Sequence, residues 1–105
     1  MSEIEKGSGN VYQDLGLPDA GEMQIKAALA SKISELIKRR ELSQVEAARI
    51  VDMPQPKLSG MLRGQFRGIS QAKMLECLNR LGQDIEIVVH DAAVPEGRTS
   101  VVFAA

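Results

Sequence analysis

A chain of 105 residues with 44% hydrophobic content can bury one core but hardly two, so one small folded unit is expected. Aromatic residues are scarce, two Phe and one Tyr with no Trp, which leaves Leu, Ile, Val, Met and Ala to build that core and suits packed helices. The net charge of −1 argues at first sight against a polyanionic partner. An uninterrupted apolar run of about 18 residues is missing, as is a basic start followed by an apolar block, so neither a membrane span nor a secretory signal is expected and a cytoplasmic location follows.

Taken in chain order, Met1 to Asn10 is polar, glycine-containing and aperiodic, the composition of a mobile tail. Asn10 to Glu22 carries Val11, Tyr12, Leu15 and Leu17 before a Pro and two Gly, and reads equally as an irregular packed arm or a loop. The first long helix is predicted from about Glu22 to Arg40, where Ile25, Leu29, Ile33, Leu36 and Ile37 share one face. Lys38, Arg39 and Arg40 close that helix, where cations complement the helix dipole. The same cluster also suits a backbone phosphate.

Ser43 to Gly64 is the most informative stretch. Val45, Ala48, Ile50 and Val51, then Leu58, Met61 and Leu62, recur with a period near 3.6, giving two short helices with one buried face each. Ser43 with Glu46 three residues later forms a capping box that satisfies exposed amide donors. Asp52, Met53 and Pro54 break the run, because a residue before proline avoids the helical region and Asp tolerates left-handed geometry. The turn is three or four residues long, and the second helix starts near Gln55.

Gly64 to Gly68 then forms a loop with Gln65 and Arg67, and Ser70 caps a helix reaching about Leu81. Met74, Cys77, Leu78 and Leu81 follow helical spacing on it, which makes Cys77 a small core residue rather than a reactive thiol. Gly82 ends that helix. Cys77 has no second cysteine to bridge to, and with His90 it offers too few ligands for zinc, so no metal or other cofactor is expected. Past Gly82 the period changes to two. Ile85, Ile87 and Val89 alternate with Asp84, Glu86, Val88 and His90, and Thr99 to Phe103 is again β-branched and apolar, predicting two short strands.

The Ser43–Gly64 pattern resembles the helix-turn-helix of the Cro and phage-repressor class, the XRE family. Gln44 stands where that family opens its second helix with Gln, Ala48 where a small residue lets the helices approach, and Leu58 and Met61 where apolar residues anchor the recognition helix. Three positions depart from the pattern: Asp52 replaces a turn glycine, Pro54 a hydroxyl cap, and Gly60 a position that often carries a base-reading side chain. The resemblance implies a mainly α fold, a lambda-repressor-like helix-turn-helix bundle of four to five helices with a short C-terminal pair of β-strands. Residues 1–21 are then a flexible tail and arm, 22–82 the DNA-binding domain, and 83–105 a β extension for dimerisation or partner binding.

It also implies a partner, double-stranded DNA carrying an inverted-repeat operator, and a homodimer to read it. Gln55, Pro56, Lys57 and Ser59 are the expected base-reading residues. Gln44, Arg63, Arg67 and Arg40 are the expected phosphate contacts. Charge supports this despite the small total: from Lys32 to Lys73 nine Lys or Arg stand against four acids, a balance of +5, which leaves −6 on the remaining residues. Size, acidic flanks and C-terminal strands are similar to HigA-type antitoxins of type II toxin-antitoxin pairs, whose toxins are small basic RNases of the RelE or HigB type. An autoregulating repressor is the leading expectation, a protein-interaction module with a degenerate helix-turn-helix the alternative. An enzyme is not expected, since no nucleophile, acid–base pair, phosphate loop or metal cluster stands at an informative spacing.

Overall fold

The computed structural model describes residues 19–104. They contain four helices, α1 (Ala20–Arg39), α2 (Gln44–Val51), α3 (Gln55–Leu62) and α4 (Gln71–Arg80). The predicted tail and most of the predicted arm, residues 1–18, lie outside the described residues. α1 begins two residues before the predicted Glu22, because its first turn absorbs Gly21 and the Met23 N–H donates to the Asp19 carbonyl at 3.0 Å.

The apolar stripe of α1 turns inward as its spacing requires: Met23, Leu29, Ile33, Leu36 and Ile37 are all buried, and Ile25 is partly covered at the edge. α1 packs against α3 and α4, and α2 packs against the same two helices. Ile33, Leu36, Val51, Leu58, Met61, Met74 and Cys77 fill the centre. Truncating one such residue, Leu58→Ala for example, removes its packing and leaves a cavity, a loss of about 2–5 kcal/mol. Phe66 and Ile69 enter this core from the loop between α3 and α4, which ties that loop to the bundle.

All four helices end in one way. The residue after the last turn turns left-handed and two amides bond back into the helix. Glu41 (φ 54°) and Asp52 (φ 58°) do this after α1 and α2, Gly64 (φ 96°) and Gly82 (φ 88°) after α3 and α4. After α3, for instance, Gly64 N–H donates to Met61 O at 3.1 Å and Gln65 N–H to Gly60 O at 2.8 Å.

The two C-terminal strands are not formed. No strand is present among the described residues, and 84–104 is irregular, bent at 93–96, with no backbone–backbone hydrogen bond among them. The alternation of Ile85, Ile87 and Val89 sets which side chains share a face, but a strand also needs a neighbour to complete its ladder. The second apolar segment is not available for that. Val101 packs against the helical core and the Phe103 ring lies 5.4 Å from the Lys32 ammonium on α1. Ile87, Val88, Val89 and Val94 consequently stay in solvent.

Candidate nucleic-acid interface

The start of α2 is fixed from both sides. Ser43 Oγ accepts from the Glu46 N–H at 3.1 Å, and Glu46 Oε1 accepts from the Ser43 N–H at 2.8 Å. These bonds favour the ionised carboxylate and hold the Glu46 carboxyl below its ordinary range. They also leave Gln44 and Val45 exposed on the first turn, Val45 being 56% accessible.

Three residues join α2 to α3. Asp52 takes the left-handed conformation, Met53 plugs into the core, and Pro54 stands at the cap of α3 with no side-chain acceptor to offer. Lys57 and Leu58 N–H both donate to the Pro54 carbonyl at 3.0 Å, and Pro56 has no donor, as suits a proline in a first turn. Leu58 and Met61 anchor the inner face of α3, which leaves Gln55, Pro56 and Lys57 exposed at its tip and Ser59 half-buried.

Across this turn the two helix starts meet. Gln55 Nε2 donates to Gln44 Oε1 at 3.2 Å, both groups exposed. At the far end of α3, Arg63 donates to Ser59 Oγ at 2.6 Å and to Gln65 Oε1 at 3.5 Å. Gly60 lies at the same corner: a Cβ there would stand 3.0 Å from Gln65 Oε1, the far end of an exposed side chain. The close approach is made by the following loop rather than by α1.

Residues 11–90 match the family model described as a helix-turn-helix domain. The chain belongs to the helix-turn-helix domain family. A solved structure described as a candidate XRE family transcriptional regulator superposes with a TM-score of 0.76 at 38% identity, covering 83% of this chain and 100% of that one. This places the chain within the XRE group of helix-turn-helix proteins. No curated protein matches it.

In this helix-turn-helix, α2 and α3 are the two motif helices and α1 and α4 their support. The structure brings Gln44 and Gln55 together, and separately Ser59 with Arg63. Arg40 is exposed at the end of α1, apart from these pairs. Arg67 is exposed as well, but its guanidinium is ion-paired with Asp19 at the start of α1. No helix among the described residues is long and apolar enough to cross a membrane.

Two lysines that position the motif were not legible as such. Lys26 is 3% exposed; its ammonium reaches the Arg67 and Phe66 carbonyls at 3.1 and 3.5 Å and Glu22 at 3.2 Å, so it fastens the loop after α3 to α1. Lys73 on α4 donates to the Val51 and Asp52 carbonyls at 3.2 and 3.1 Å, closing the end of α2 where the turn begins. The available signal for Lys26 was its place three residues from Met23 and from Leu29, on the apolar face.

Proposed function

We propose that the protein is a sequence-specific DNA-binding transcriptional regulator with α3 as its recognition helix. The observation that carries this reading is the exposed Gln44–Gln55 hydrogen bond at the joined starts of α2 and α3. With one Nε2 hydrogen directed at Gln44, Gln55 keeps its second hydrogen and its Oε1 for the N7 and N6 groups of an adenine. Gln44, at a helix start with free amides, is suited to a phosphate oxygen. Pro56, Lys57 and Ser59 extend the base-reading edge, with Pro56 offered to a thymine methyl. Arg63, Arg67 and Arg40 supply phosphate contacts around it.

A single helix-turn-helix covers few base pairs, so the regulator acts as a two-fold dimer on an inverted repeat, with half-sites about 34–36 Å apart. Residues 22–82 are the reading unit, and 83–105 the extension that serves dimerisation or a partner. The same reading makes it an autoregulating repressor in the cytoplasm and the antitoxin of a toxin-antitoxin pair. The −6 balance outside residues 32–73 suits a small basic toxin of the RelE or HigB type.

Fluorescence anisotropy on the DNA upstream of its own gene, beside random DNA and at two salt concentrations, tests the regulator. Tight, salt-dependent preference for the upstream DNA is expected. Equal affinity for both would remove the autoregulation reading. Co-purification with a basic protein encoded beside it tests the antitoxin role.

A further inference from the structure

Gly60 occupies an outward place on α3. Leu58 and Met61 turn into the core, whereas Pro56, four residues before Gly60, and Arg63, three after it, are exposed, and residues at these spacings share a helix face. Gly60 is buried all the same, and the atoms nearest a Cβ placed there belong to Gln65, Oε1 at 3.0 Å and Cβ at 3.7 Å. The left-handed turn at Gly64 (φ 96°) brings the chain back to this place, and the Gln65 N–H then donates to the Gly60 carbonyl at 2.8 Å. The next residue, Phe66, is buried, and Lys26 on α1 holds the Phe66 and Arg67 carbonyls. Gln65 is thus an exposed side chain on a backbone fixed at both sides, its amide set where a side chain of residue 60 would project.

We propose that Gln65, a loop residue outside both motif helices, reads a base edge in the major groove from the place that Gly60 leaves open. The proposal rests on the regulator reading and adds to it a further specificity-determining residue. Arg63 bonds Ser59 Oγ at 2.6 Å through one nitrogen and Gln65 Oε1 at 3.5 Å through the other, so the guanidinium orients the amide. With Oε1 engaged, the two Nε2 hydrogens are what Gln65 offers a ligand. Guanine presents two acceptors, N7 and O6, on one major-groove edge and matches them. Residue 60 stands about 6 Å along α3 from Pro56, nearly two base-pair steps of about 3.4 Å. The base pair read by Gln65 is therefore a different one from that read by Gln55. Any side chain at residue 60 would contend with the amide for the same space.

The test is fluorescence anisotropy of the full chain on its upstream DNA, on a panel with each base pair of the bound site changed singly, and on random DNA. Gln65→Ala is expected to lose about tenfold in affinity for the parent site, to bind random DNA as before, and to lose discrimination at one G·C pair. Gln55→Ala should lose it at another pair. Gly60→Ala is the second variant. It improves helix propensity and meets only the flexible end of Gln65, so its urea midpoint should not fall while discrimination at the Gln65 pair does, a split that a merely structural role would not produce. A Gln65→Ala chain weakened alike on every sequence has lost a phosphate contact or the support of Arg63, and overturns the proposal. So does a panel unchanged by both variants. In that case a parent that still prefers its upstream DNA keeps the regulator reading and loses only Gln65, whereas a parent without any preference removes the regulator reading and this inference with it.

Discussion

Gln55 and Gln44 stand eleven residues apart in the chain, and their side-chain amides meet at 3.2 Å across a three-residue turn. On the proposed reading, the bond couples the amide offered to bases to the one offered to phosphate. Gln55→Ala is expected to cost about 1–3 kcal/mol on the preferred sequence and to relax one base position. Gln44→Ala should lose part of the same discrimination, so the double variant falls short of the sum of the two single losses. Anisotropy with a set of single-base operator variants checks this; equal losses on random DNA would remove Gln55 from base reading.

Arg67 has two claims on it. Asp19 neutralises it in the free protein, and a phosphate would have to displace that carboxylate. Arg67→Ala is expected to flatten the salt dependence of binding by about one counterion. Asp19→Asn should do the opposite, strengthening binding to specific and random DNA alike at low salt. An unchanged salt slope in both variants would leave Arg67 with only its tie to α1, an exposed pair of the kind that contributes about 0–1 kcal/mol.

Lys26 carries more stability than its charge suggests. Lys26→Met keeps the stem but takes the donor from the Arg67 carbonyl, while the Phe66 carbonyl keeps the Ile69 N–H at 3.0 Å, and an unsatisfied buried group costs about 1–3 kcal/mol. A loss of about 1–3 kcal/mol in urea unfolding is expected, against under about 1 kcal/mol for Glu22→Gln, whose carboxylate is half exposed. Equal effects of the two substitutions would show that the ion pair, not the carbonyl clasp, matters.

Acid should loosen the start of α2. The Glu46 carboxyl is held below its ordinary 4.5 in the folded chain by its bonds to Ser43, so the unfolded state binds its proton first. That contribution is complete above about pH 4.5 and disappears as pH falls through the folded value. Glu46→Gln can still complete the capping box but no longer titrates. Its stability should fall less than the parent's between about pH 5 and 3 in denaturant titrations at stepped pH.

What was legible in the sequence was local. The Ser43–Glu46 box, the Asp52 turn, the Ser70 cap and the Gly82 stop each depend on residues within four positions, and the structure has them all. Cys77 as a core residue followed from helical spacing, and burial also pushes its thiol up. What was not legible depends on long separations. Lys26 finds its carbonyl partners 40 and 41 residues away, and Lys73 reaches back 22 and 21. The strands failed for a related reason: alternation specifies a face, but Val101 and Phe103 are taken by α1 and the body. For the candidate interface, the helix starts were readable, whereas the engagement of Arg67 by Asp19 and of Ser59 by Arg63 was not.

The turn of Asp52, Met53 and Pro54 also acts as a ruler. Inserting one residue there would lengthen the link that seats Met53 and Leu58 in the core while holding Gln55 against Gln44, so one of these contacts would have to give. At Asp52 the residue type matters less, as it adopts a left-handed conformation without being glycine. The turn therefore constrains both its count of three and its letters, since Met53 is held in the core and Asp52 must accept left-handed geometry.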